Sequence, residues 1–391
     1  METGIVGKPN VGKSTFFKAA TLIDAEIANF PFTTIKPNIG MASVRVKCAC
    51  KEFGVSCNPK NSVCIDGQRF IPVKAIDVAG LVPGAHEGKG LGNQFMDDLR
   101  MADALIHVVD IAGRTNEKGE PATDHDPETD IRFLIDEIDL WFYSIIKKNW
   151  HKISSKIKYN NKDLLKELSE QMAGLGISEY SVKKALDNSG LYDKSGWEDD
   201  DIKAFASKLR EIAKPIILAG NKIDLDAKKN YERLKEKYQI TSVCAEAELA
   251  LRQAHNAGVI KYLPGDADFT ILKEDLPEKQ KKALDFMRAN ILAKYDGTGV
   301  QKCINSVIFD VLKLIVVYPV ENEGKLTDSK GNVLPDARLL PEGSKAIDLA
   351  YKIHTDIGDR FIGAIDCKTK KKIGRETVLK DGDVIKILTS R

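Results

Sequence analysis

The chain has 391 residues, 43% of them hydrophobic and 30% charged, which is enough for two to three domains with more than one buried core. Its 59 Lys and Arg against 57 Asp and Glu leave a net charge of only +2, so no overall field selects for nucleic acid. Apolar runs such as Leu105 to Val109 are far too short to span a bilayer and no secretory leader is read ahead of the first motif, so a soluble cytoplasmic protein with no membrane partner is expected.

The first element is a short apolar strand, Gly4-Ile5-Val6, running into Gly7-Lys8-Pro9-Asn10-Val11-Gly12-Lys13-Ser14 and then a helix that opens Ser14-Thr15-Phe16-Phe17. Glycines at both ends of that string let backbone N–H groups wrap a pyrophosphate, Lys13 reaches the outer phosphates, and the Ser14 hydroxyl suits a magnesium ion at the helix N-terminus. Residues Asn29 to Asn38 follow, polar and punctuated by Pro31 and Pro37, and read as a loop able to order around a triphosphate. Thr34, ahead of Thr33, is the candidate there for a second hydroxyl on magnesium.

Four of the seven cysteines, Cys48, Cys50, Cys57 and Cys64, fall in an insertion at 47–70. The spacing is not that of a paired Cys-x2-Cys ribbon, and three states stay open: a tetrahedral zinc site, one or two disulfides, or free thiols. Phe70 to Ile76 reads as a strand delivering Asp77-Val78-Ala79-Gly80, where Asp77 holds the metal through water and the Gly80 N–H turns toward a γ-phosphate. After Val108-Val109-Asp110 the sheet pattern stops. Asp126-Pro127-Glu128 caps a helix whose Ile131, Leu134, Ile138, Phe142 and Ile146 recur at helical spacing, and 162–172 and 179–212 also read as helical.

The sheet resumes at Pro215 to Gly220 and ends in Asn221-Lys222-Ile223-Asp224. An Asp there accepts from the N1–H and amine of guanine, Asn serves O6 and N7, and the Lys stem covers the ring; adenine would leave Asp224 unpaired. Cys244-Ala245 is placed to meet the guanine O6 through backbone N–H groups. Residues 246–312 read as mostly helical. From Lys313 short strands begin: Leu314 to Tyr318, a polar hairpin at Ser329 to Asn332, a helix Ala346 to His354, then Phe361 to Asp366 and Asp383 to Leu388.

With Asn29-Phe30-Pro31-Phe32-Thr33-Thr34 and the run from Asp77 to Asn93, through Leu81, His86 and Gly90, the chain resembles the Obg-related GTPases, in their YchF-like branch. The segment from Asp336 to Ile387 is similar to a TGS domain, a ubiquitin-like β-grasp module. The resemblance implies an α/β P-loop NTPase domain (1–124 and 213–312, with the insertion 47–70), a helical insertion (125–212) and a TGS domain (313–391). It also implies GTP and GDP as ligands, magnesium as cofactor, slow hydrolysis, and a switch acting on the ribosome or another translation RNA. Many YchF-like proteins replace the guanine motif and prefer ATP; here the motif is intact. Leu81 stands where Ras-like switches carry a glutamine, so the resemblance points to His86 as the catalytic polar group beside Lys13, Thr34 and Gly80. It also assigns Asn10 to a potassium ion, against a simple turn-stabilising role. Lys368, Lys370, Lys371, Lys372 and Arg375 crowd a loop that meets RNA phosphates or is only a solvated turn. Two rival readings stand: a GTP-gated docking module with negligible hydrolysis, and an ATPase.

Overall fold

The computed structural model describes residues 1–22, 38–80, 92–160, 163–192 and 196–390. Along the chain run β1 (Glu2–Val6), α1 (Lys13–Thr21), β2 (Ile39–Lys47), α2 (Ala49–Phe53), β3 (Val63–Ile65), β4 (Gln68–Asp77), α3 (Gly92–Met101) and β5 (Ala104–Asp110). Four helices come next: α4 (Pro127–Asn160), α5 (Leu164–Ala173), α6 (Glu179–Ser189) and α7 (Asp199–Ala213). Then follow β6 (Ile216–Asn221), α8 (Lys228–Lys235), β7 (Ile240–Ser242), α9 (Ala245–Asn256), β8 (Ile260–Lys261) and β9 (Thr270–Ile271). The C-terminal strands are β10 (Leu314–Val320), β11 (Arg338–Pro341), β12 (Phe361–Asp366), β13 (Lys371–Ile373) and β14 (Asp383–Thr389). The chain divides into two compact units, one from the described residues of 1–22, 38–40 and 74–303, the other from those of 41–73 and 304–390.

In the first unit the strands pair in parallel, β4-β1-β5-β6-β7. Every residue of β5 is buried, as expected of a parallel strand covered on both faces, which is why its run reads as continuously apolar rather than alternating. The inserted helices share one core with Val6 of β1, Ile76 of β4, Leu99 of α3 and Leu105 of β5. Ile138, Phe142 and Ile146 of α4 pack with Leu168, Leu186, Phe205 and Leu209, and Trp150 stacks on Trp197 with ring centroids 4.6 Å apart. Asp126 caps α4 by accepting from the Glu128 N–H at 2.9 Å, and Asp163 and Ser178 cap α5 and α6. The stretch 179–212 is two helices, not one, because Gly190 at φ 68° ends α6 in the left-handed region. Within 246–312 the small hairpin β8-β9 interrupts the expected helices; at two residues each, such strands carry no readable period.

In the second unit five strands form a mixed sheet ordered β11-β10-β14-β12-β13, with β10 and β14 parallel. Helix Ala346–Ile353 covers it, setting Ala346 and Leu349 against Ile315, Val317, Ala364 and Ile385. This is the β-grasp arrangement. Lys371 and Lys372 lie in β13, paired with Asp366 and Ile365, so part of the basic cluster expected in a loop is a strand. The cysteine insertion, read from sequence with the nucleotide domain, belongs to this second unit. It is bonded there by backbone and side chain: Asn58 N–H to Val333 O at 3.2 Å, Lys60 N–H to Pro335 O at 2.7 Å, and the Arg69 side chain, through Nη2, to Leu334 O at 2.9 Å. Hairpin β3-β4 turns at Asp66-Gly67, both at positive φ (52° and 82°), the pair that a two-residue hairpin turn favours.

Candidate functional site

The loop Gly7 to Ser14 leaves β1 and enters α1 as expected, and its polar groups are already engaged. Lys13 Nζ lies 2.6 Å from Asp77 Oδ1, and Ser14 Oγ donates to Asp77 Oδ2 at 3.2 Å. The cation expected on phosphates thus rests on the carboxylate that ends β4. Asp77 and Ser14 converge as hard oxygen donors, a set that fits magnesium when phosphate and water oxygens complete the shell. Thr15 follows in α1.

The base motif is tied directly to this loop. Asn221 Nδ2 donates to Val11 O at 2.9 Å, and its Oδ1 accepts from the Ala245 N–H at 3.0 Å. Gly12 makes room for that approach, since a Cβ there would collide with the Asn221 amide and its φ of 93° is strained for other residues. Lys222 Nζ donates to Asn10 O at 2.9 Å and pairs with Asp110 Oδ2 at 2.8 Å. Asp110 is fully buried at the C-terminal end of β5, and it also accepts from Thr115 Oγ1 at 2.9 Å. Asp224 is half-buried and accepts from Cys244 Sγ at 3.2 Å. Burial, with Asp224 beside it, pushes the Cys244 thiol far up, so the sulfur keeps its proton and donates.

Three groups of the expected site have protein partners here. Lys8 sends its ammonium into the interior, 2.6 Å from Asp130 Oδ2 and 2.8 Å from Thr115 O, while His125 Nε2 takes the other Asp130 oxygen at 2.8 Å. A buried cation needs a buried partner, so only the Lys8 backbone is left for an anion. Asn10, at φ 64°, donates its amide to Gly119 O at 2.9 Å, behaving as a turn-stabilising side chain. The Cys244 N–H donates to Thr298 O at 2.9 Å and the Ala245 N–H to Asn221, so neither expected O6 donor is open. Pro9 touches the 114–122 loop, where a Cβ at Gly119 would stand 2.7 Å from Pro9 O. Gly80 stands beside the same proline, 3.6 Å from its ring to an added Cβ. Thr33, Thr34, Leu81 and His86 lie outside the described residues.

Sequence reasoning missed Asp110, Asp130, His125 and the 111–126 segment. One signal was legible: Asp110 ends a buried parallel strand, and carboxyl ends of such strands face ligand crevices. Beneath the loop, His107 on β5 is wholly buried, and desolvation helped by Lys8 pulls its pKa down to about 3, so its ring is neutral.

Comparison with known proteins agrees with this geometry. Residues 2–147 match the family described as 50S ribosome-binding GTPase, 219–322 the Obg-like GTPase YGR210-like, G4 motif-containing domain, and 330–389 the TGS domain. An uncharacterized GTP-binding protein of Methanocaldococcus jannaschii is 52% identical over 395 residues, covering 99% of this chain and 98% of that one. The ribosome-binding ATPase YchF of Buchnera aphidicola is 29% identical over 98% of both chains. A crystal structure of a GTP-binding protein from Pyrococcus horikoshii is 40% identical, with a TM-score of 0.81 over 100% of both chains.

Proposed function

The chain belongs to the Obg-like, YchF-type GTPases, and from that premise we propose that this GTP-binding protein hydrolyses GTP slowly and uses the nucleotide state as a switch. The observation that carries it is the physical link between base reader and phosphate loop. Asn221 and Lys222 hold the carbonyls of Val11 and Asn10, so an occupied base site fixes the loop that must wrap the phosphates. Gly7 to Thr15 bind the phosphates; Asp224 reads the base.

In the nucleotide complex Lys13 leaves Asp77 for the outer phosphates, which frees Asp77, with Ser14 and Thr34, to hold magnesium. When bound, the ion supplies positive charge to the phosphates being separated. The Gly80 N–H faces the γ-phosphate. Leu81 cannot orient a water, so His86 takes that role, and Asn10 is the residue that would confer a potassium preference. The TGS domain carries the contact with ribosomal or other RNA, a proposal supported by the name of the Buchnera relative and by exposed Lys371, Lys372 and Arg375.

One observation favours ATP as a second reading: with the Cys244 and Ala245 N–H groups engaged, part of the expected guanine readout is closed. Competition of GTP and ATP against a fluorescent GDP, followed by single-turnover hydrolysis in potassium and in sodium, tests the proposal. The expected result is a GTP preference of several powers of ten, faster turnover in potassium, and about a hundredfold loss of rate in His86→Ala with GTP affinity kept. Equal affinities for both nucleotides would end the guanine assignment. Rates independent of both His86 and the cation would leave a docking module whose hydrolysis needs a partner's residue.

A further inference from the structure

We propose that Cys48, Cys50, Cys57 and Cys64 form a structural tetrathiolate zinc site that shapes the insertion and so holds its 58–61 segment beside residues 333–337 of the β-grasp domain. Cys48 Sγ lies 3.8 Å from Cys57 Sγ, Cys50 Sγ lies 3.8 Å from Cys64 Sγ, and all four sulfurs are within 4.8 Å of one another. A tetrahedron with zinc–sulfur bonds of about 2.3 Å has sulfur–sulfur edges of about 3.8 Å. A disulfide needs about 2.05 Å. Both close pairs therefore stand at the distance of a shared ligand and not of a bond.

The scaffold explains why sulfurs so unevenly spaced in sequence meet. Cys48 caps α2, whose first turn brings in Cys50; the Cys48 N–H is held by Gly67 O at 2.9 Å. Gly54, in the left-handed region at φ 64°, ends α2 and turns the chain back toward Cys57. Cys64 comes from β3, opposite Arg69 on β4.

Arg69 is the independent observation. Its side chain is fully buried, its Nη1 donates to Ser62 Oγ at 3.0 Å and its Nη2 to Leu334 O at 2.9 Å, and its Nε has no partner. Its guanidinium carbon lies 5.4 Å from the centre of the Tyr318 ring. No carboxylate pairs with it among the described residues. A buried, uncompensated cation costs several kcal/mol. Four thiolates around a dication carry a net charge of about −2. Two disulfides or four neutral thiols would leave the guanidinium without a counter-charge.

The consequence lies in the β-grasp domain. Between Cys57 and Cys64 the chain runs alongside 333–337: Asn58 Oδ1 accepts from the Val333 N–H at 2.6 Å, and Asn61 Oδ1 from the Ala337 N–H at 2.9 Å, with Asn61 Nδ2 returning to Ala337 O at 3.0 Å. Glu52 of α2 pairs with Lys368 at 2.8 Å. A segment with so few apolar side chains has little else to hold it against residues 333–337.

The test uses the full-length chain purified without chelator from zinc-supplied cells. Elemental analysis is expected to give about one zinc per chain, with Cys48, Cys50, Cys57 and Cys64 resisting alkylation until the metal is removed. Replacement by Co²⁺ is expected to give the intense visible bands of tetrahedral thiolate coordination. Stripping zinc from the wild-type chain is expected to speed amide exchange at 333–337, and Cys57→Ser to release its zinc to a chromophoric chelator that the wild type resists. Zinc-free protein with four reactive thiols, an intact mass showing disulfides, or iron in place of zinc would overturn the site. Zinc present but exchange at 333–337 unmoved by its removal would overturn the stapling.

Discussion

The phosphate loop and the cysteine insertion are both small polar constructions with little apolar cover, yet they are satisfied in opposite ways. Around the phosphate loop three cations have carboxylate partners: Lys13 on Asp77, Lys222 on Asp110, Lys8 on Asp130. In the insertion four thiols have chiefly one another, beside a buried guanidinium with no carboxylate partner among the described residues. The difference separates a ligand that comes and goes from one that stays. Lys13 has Asp77 as a partner whenever no phosphate takes it, so departure of a nucleotide would leave that ammonium paired. A metal bound by the cysteines has no such substitute. Its loss exposes the full cost of Arg69, which makes it part of the fold.

The base reader bears the largest predicted effect on the reversible side of that comparison. Asp224→Asn presents an amide donor to the guanine N1–H and amine, and GTP affinity is expected to fall by about four powers of ten while xanthosine triphosphate gains. Competition binding against fluorescent GDP reads it; an unchanged GTP affinity would mean that the base is recognised elsewhere. Lys8→Met comes next. It strands buried Asp130 and is expected to lower stability by about 3–5 kcal/mol in urea titration, whereas Lys8→Met with Asp130→Leu should recover most of the loss. A double variant no better than the single one would show that the stranded Asp130 carboxylate is not the source of the loss.

Arg69→Met sharpens the other half. Zinc affinity in competition with a chromophoric chelator is expected to drop about tenfold to a hundredfold with nucleotide affinity untouched. The pH dependence discriminates further. His107 has its folded pKa pulled down to about 3, against an ordinary value of about 6.5. Above pH 6.5 it contributes nothing to the slope; below it the unfolded chain takes a proton that the folded chain refuses, so stability falls as pH drops toward 3. At pH 5 the loss is about 2 kcal/mol. His107→Leu should flatten that limb, measured as urea midpoints between pH 7 and 5, and parallel curves for both proteins would exclude it as the source. The smallest effect is on RNA. Lys370 donates to Glu323 O at 2.6 Å and Lys368 pairs with Glu52, so the informative triple variant is Lys371, Lys372 and Arg375 to Ala. It should reduce the salt slope of ribosome association by up to about three. An unchanged slope assigns the strand to solvent.

Much of this protein was legible residue by residue. The phosphate loop, the Asp77 strand end, the guanine motif and the β-grasp strands are local strings whose chemistry depends on spacing of a few residues, and backbone geometry enforces that spacing wherever the chain goes. Asp126 as a helix cap is of the same kind. What composition and periodicity could not convey are pairings between distant positions. Lys8 reads only as part of the phosphate loop until a helix beginning 119 residues later brings Asp130 to within 2.6 Å of its ammonium. Four cysteines read equally as zinc site, disulfides or thiols until the β3-β4 hairpin and α2 set their sulfurs within 4.8 Å of one another, with buried Arg69 opposite Cys64. Sequence alone determined which groups could bind a nucleotide. Tertiary structure decided which of them already have partners, because desolvation charges each buried polar group for the company it lacks, and that company is chosen only when the chain folds.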